Sequence, residues 1–101
     1  MALSMQQKKY LRGIAHHLKP VIIIGQHGLS EGLMNELNST LDHHELIKIK
    51  IAAGEREERK EIINTVCQTT GAELVQAIGK IFVIYRPNPD KKNSYIHLPR
   101  V

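Results

Sequence analysis

The segment Leu46-Ile47-Lys48-Ile49-Lys50-Ile51 constrains this chain more than any other. Its residues alternate with a period of two, the mark of a strand. Successive strand side chains point to opposite faces, so Ile47, Ile49 and Ile51 make an apolar face and Lys48 and Lys50 a basic one. Gly54 breaks the pattern. A fold holding this segment must contain a sheet with one face covered.

Helical and extended signals surround the strand. Ser4 opens a capping-box pattern that Gln7 completes. Leu11, Ile14, Ala15 and Leu18 recur at helical spacing, which predicts a helix over about residues 5–18, stopped by Pro20. Val21 to Ile24 reads as a short strand, apolar on both faces as in the middle of a sheet. Ser30 is a candidate N-cap, and Leu33, Met34, Leu37 and Leu41 predict a second helix over about 31–42. A third helix is expected from near Glu55, with Glu55 and Arg59 at favourable i,i+4 spacing. Ile62, Ile63, Val66 and Cys67 supply its buried face, and Gly71 terminates it. Residues 73–78 and 81–86 read as two strands around a Gly79-Lys80 hairpin turn. The order α-β-α-β-α-β-β predicts an α/β fold: a four-stranded mixed sheet packed with helices.

The length of 101 residues suggests one domain over 1–101, with a polar, irregular tail over about 87–101. Tyr95 to Leu98 are placed to dock back onto it. Hydrophobic residues make up 42% and charged residues 24%, a globular balance that argues against disorder. The run Val21 to Ile24 is too short to cross a bilayer. The N-terminus lacks the pattern of a secretory signal. Cys67 is the single cysteine and makes neither an internal disulfide nor a zinc site alone. We therefore expect a soluble, cytoplasmic protein with no metal, no cofactor, no membrane contact and no small-molecule substrate.

The charge is +4, and it is segregated along the chain. Residues 1–20 carry Lys8, Lys9, Arg12 and Lys19 without an acid, whereas residues 21–45 carry four acids without a lysine or arginine. Residues 55–71 nearly cancel, at −1. Residues 72–101 return to +3, with Lys80 and Arg86 among the cations. Such segregation suits a polyanion touched by some elements and not others.

Gly25-Gln26-His27-Gly28 is the most informative turn. Two glycines permit positive φ and leave no Cβ in the way of an approaching backbone. The turn feeds a helix start, whose unpaired N–H groups and partial positive charge suit phosphate. A GxxG loop that clamps nucleotides is a known RNA-binding device. The common alternative is a tight strand-to-helix turn and nothing more, and Glu31 competes for the same helix dipole. Lys8 and Arg12 share a helix face, and Lys48 and Lys50 share a strand face.

Six histidines invite an enzymatic reading, but the pairs His16-His17 and His43-His44 lack chelating spacing. No Ser-His-Asp or Cys-His arrangement singles out a nucleophile. His27, inside the loop, is the one to test as an RNA contact. Cys67 fits a small core residue. Tyr10, Phe82, Tyr85 and Tyr95 are the only aromatics, too few for a surface that stacks single-stranded bases.

Five separated stretches carry a resemblance. They are Lys9 to Arg12, Ala15 to Pro20, Ile24 to Ser30, Leu46 to Ile51, and Ile78 to Lys80 followed by Tyr85-Arg86-Pro87. In this order they resemble the YhbY family, the stand-alone bacterial form of the CRM (chloroplast RNA splicing and ribosome maturation) domain. The likeness covers about residues 4–87, with Gln26 where the family's loop often has a basic residue. It implies a fold similar to the C-terminal domain of a bacterial translation initiation factor. It also implies RNA binding through the GxxG loop and association with precursors of the large ribosomal subunit. The expectation is a non-catalytic, monomeric RNA-binding protein. Its site would be Gly25, Gln26, His27 and Gly28, surrounded by Lys8, Lys9, Arg12, Lys19, Lys48, Lys50, Lys80 and Arg86. The alternatives are an RNA-processing enzyme using His27 with a second histidine, and a protein-interaction module of the assembly machinery.

Overall fold

The computed structural model describes residues 2–91 and 94–100. Three helices and four strands follow the predicted order: α1 (Met5–Ala15), β1 (Ile22–Ile24), α2 (Glu31–His44), β2 (Leu46–Ile51), α3 (Arg56–Thr70), β3 (Glu73–Ile78) and β4 (Ile81–Tyr85). The sheet order is β1-β2-β4-β3. β1 runs parallel to β2, and the other two pairings are antiparallel, so the sheet is mixed.

The alternation in β2 decides how the layers stack. Ile47, Ile49 and Ile51 bury against α2 and α3 on what we term the back face, with Ile22, Ile24, Leu37, Leu41, Val66, Phe82 and Ile84. Each such side chain contributes roughly 1.5–3 kcal/mol by leaving water. On the front face, α1 buries Leu11 and Ala15 against Leu46, Val75, Val83 and Tyr85. Ile96 of the C-terminal segment closes that cluster, so the chain returns over α1 as anticipated.

Local signals set the helix ends. The Ser4 hydroxyl accepts from the Gln7 N–H at 3.1 Å, and the Gln7 side chain accepts from the Ser4 N–H at 3.0 Å, a complete capping box. Ser30 caps α2 through the Leu33 N–H, and Gly71 closes α3 with φ +74°. Three expectations need correction. Helix α1 stops at Ala15, because His17 and Leu18 tighten into i→i+3 hydrogen bonds ahead of Pro20. Helix α2 runs on to His44 and ends at Glu45, a non-glycine with φ +62°. Buried Glu45 is tied down there, since its backbone carbonyl accepts from the Arg86 N–H and its carboxylate from the Asn88 N–H. Strand β1 lies at the sheet edge rather than its middle, so Ile22 and Ile24 are buried while Ile23 stays 62% exposed.

Cys67 is half-buried against the back-face cluster, and burial, with a smaller contribution from Glu73, pushes its thiol above the ordinary value of 9.0. Little thiolate forms in the folded state near neutrality. Iodoacetamide at about pH 8 should therefore alkylate Cys67 more slowly in the folded protein than in urea. Equal rates would show that α3 opens readily.

Candidate nucleic-acid interface

Register places the glycine turn. Ile24 of β1 stands beside Ile51 of β2, and the Ala52 N–H donates to the Ile24 carbonyl at 2.8 Å. The Ile51 N–H donates to the Lys80 carbonyl at 2.8 Å. The 25–28 turn, the 52–55 connection and the Gly79-Lys80 hairpin tip thus share one end of the sheet. Within the turn, the Gly28 N–H donates to the Gly25 carbonyl at 3.1 Å, and Gly28 takes φ +66°, which favours glycine. A Cβ added at Gly25 or Gly28 would meet no heavy atom within 4 Å, so the bend is open to solvent. Gln26 and His27 are exposed on it.

The cations divide by position. Lys50 is exposed and pairs with Ile23 on one side and Ile81 on the other, so it lies on the front face at the glycine end. Lys80 is exposed at the hairpin tip. Lys48, one pleat back on the same face, joins Arg12 of α1 and His16, the residue that caps it, around an open concavity of about 300 Å³. Gln76, Ile78, Ile81 and Val83 form its floor. Helix α1 covers only the far half of the front face, which leaves Ile78 65% exposed beside these cations. Lys8 and Lys9 lie about one turn before Arg12 along α1, with Lys8 in line with Arg12 at i,i+4.

Two expected residues sit elsewhere. Lys19 lines a second, mainly apolar groove of about 210 Å³ with Leu18, Val21, His44, Leu46 and Tyr95, which meets the first only at Lys48. Arg86 follows β4 at the end of the sheet opposite the glycine turn, and its guanidinium is committed to the fold. It donates to Asn38 Oδ1 (2.8 Å), the Asn38 carbonyl (3.0 Å), the Thr70 carbonyl (2.7 Å) and the Asp42 carboxylate (2.9 Å). It joins α2 to the C-terminus of α3, where a cation meets the negative end of the helix dipole. We therefore remove Arg86 from the site. Arg59 does not reach Glu55 as the spacing suggested; it donates to the Gly54 carbonyl at 3.0 Å. His16 and Gln76 were missed by the sequence reading. His16 stands four residues after Arg12, a signal that its pairing with His17 obscured.

The CRS1/YhbY (CRM) domain model matches residues 3–86. The chain belongs to the CRS1/YhbY (CRM) domain family. This CRM domain is 49% identical over 98 residues to a Haemophilus influenzae protein named as RNA-binding, covering 97% of this chain and 96% of that one. It is 43% identical over 100 residues to a Pseudomonas aeruginosa protein also named for RNA binding, covering 99% and 96%. A solution structure of a Staphylococcus aureus protein, described as a candidate RNA binder, superposes with a TM-score of 0.80 at 38% identity. That match spans 97% of this CRM domain and all of the other chain.

Tyr85 is pushed above its ordinary value by burial, then by the Glu45 carboxylate and Tyr10, and Tyr95 shifts the same way for the same causes. Among the described residues, no group of three or more histidine, cysteine or acidic side chains is placed to hold a metal ion. No helix among them is long and apolar enough to cross a membrane.

Proposed function

We propose that this protein binds structured RNA by its sugar-phosphate backbone and acts, without catalysis, on precursors of the large ribosomal subunit. The observation that carries the reading is the coincidence at one sheet end of an open glycine bend and the exposed cations Lys50 and Lys80. Arg12 and Lys48 extend that positive surface along the front face. Phosphate is the chemistry that fits such a surface, because backbone N–H groups and side-chain cations both complement it. The relatives named for RNA binding support RNA as the polyanion. The ribosomal assignment rests on the family resemblance of the five sequence stretches.

The aromatics favour backbone over base recognition. Phe82 and Tyr85 are buried, and the Tyr10 hydroxyl accepts from the His97 N–H at 3.1 Å. Tyr95 is half exposed but lies with Lys19 in the second groove, away from the glycine bend. Among the described residues, no Phe, Tyr or Trp stands exposed beside the glycine bend to stack bases.

Gly25 gives the cleanest test. It lies outside the positive-φ region, and a side chain there meets only solvent. Gly25→Val should leave the melting temperature nearly unchanged while weakening structured-RNA binding about tenfold, by holding the phosphate backbone off the bend. Gly28→Ala also forces a residue with a Cβ into positive φ, so it should cost about 1 kcal/mol of stability as well. A Gly25→Val protein that binds RNA as well as wild type removes the loop from the site. Cleavage of structured RNA by the pure protein without added metal, lost in His27→Ala, would instead establish the enzymatic alternative.

A further inference from the structure

The N-terminal half of α3 appears neutral when its charges are counted along the chain, yet the helix sorts them by face. Arg56, Arg59, Lys60 and Ile63 recur at i, i+3, i+4 and i+7, so they form one stripe. Glu57, Glu58 and Glu61 fall to the other side. The cationic stripe faces the β3–β4 hairpin across an open groove of about 380 Å³, which Ala77 and Gly79 line from the hairpin side. Acidic contact with the stripe is slight: the Glu57 carboxylate comes to 3.8 Å from Lys60 Nζ with both side chains largely exposed. Arg56 is the first residue of α3, where the positive end of the dipole disfavours a cation. That charge works against helix stability where it stands.

The hairpin lies between two basic concavities. Alternation along β3 sends Gln76 and Ile78 to the front groove with Arg12 and Lys48, and sends Ala77 to the back groove with Arg56 and Lys60. Lys80 projects at the tip between them.

We propose that the back groove is a second phosphate-backbone site, so that the β3–β4 hairpin sits between the two strands of an RNA helix. This deepens the RNA-binding reading and rests on it. One backbone segment lies along the front face by the glycine bend, and the opposing strand lies against Arg56 and Lys60. A single strand engages the front face alone.

The test uses the full chain carrying Arg56→Gln and Lys60→Gln together. Binding is measured by fluorescence anisotropy against an RNA stem-loop and a short single-stranded oligoribonucleotide, over a salt series. The expected result is about a tenfold loss on the stem-loop, with the slope of log affinity against log salt smaller by about two. Affinity for the single strand should stay unchanged. The melting temperature should change little, because Arg56 leaves the start of a helix and Lys60 loses only an exposed contact with Glu57. An unchanged stem-loop affinity overturns the back groove while leaving front-face binding intact. An equal loss on both probes also overturns it, since the cations would then serve as general field. If wild-type protein binds neither RNA, the proposed function falls together with this inference.

Discussion

Replacing Arg86 with alanine is expected to unfold this protein far more readily while leaving the RNA affinity of the molecules that remain folded unchanged. Four hydrogen bonds from one guanidinium connect β4 to α2 and to the last carbonyl of α3. Its side chain is only 21% exposed, so solvent replaces those contacts incompletely. Bonds to a charged donor are each worth about 1.5–3 kcal/mol but do not add, which sets the loss at roughly 2–4 kcal/mol. In a domain of this size that lowers the melting temperature by about 10–20 °C. Arg86→Lys should recover little, because a single ammonium cannot reproduce the planar fork. Thermal denaturation and RNA titration at about 10 °C, below the transition, check both halves. A variant that melts like wild type yet fails to bind RNA would return Arg86 to the contact surface.

The second large effect is the response to salt. If Arg12, Lys48, Lys50 and Lys80 each neutralise a phosphate, affinity should fall roughly 100-fold between about 50 and 200 mM monovalent salt. Lys48→Gln with Lys50→Gln should flatten that dependence by about two in the log–log slope, on every structured RNA tried. Both lysines point away from the isoleucine face, so stability should change little. Affinity constant across the salt range would rule out phosphate neutralisation as the basis of binding.

The sequence was most informative where the physics is local. The isoleucine–lysine alternation of β2, the Ser4 and Ser30 caps, the Gly71 stop and the Gly79-Lys80 hairpin each act over a few residues, and each appears in the structure. The glycine bend was legible for the same reason. Long-range choices were not. Nothing near Val21 to Ile24 tells whether a second strand will pair beyond it, so its edge position and the exposure of Ile23 emerged only from the sheet order. The partners of Arg86 are 16 to 48 residues away in sequence, which made a clamp look like a surface cation. The α3 stripe is a different case: its helical spacing was readable, but summing charge along the chain cancelled cations against acids that face another way. His16 lies four residues after Arg12, on the same helical face, but its adjacency to His17 masks that step.

The path of the chain's two extremities has a practical corollary. The Leu3 N–H donates to the Glu73 carboxylate, and the Gln7 side-chain amide donates to the Pro99 carbonyl at 3.0 Å. Residues from both extremities therefore meet beside the start of β3, at the pole opposite the glycine bend. Fluorophores or surface tethers attached there would stand clear of docked RNA. Copies strung head to tail through brief linkers could each keep an unobstructed working end.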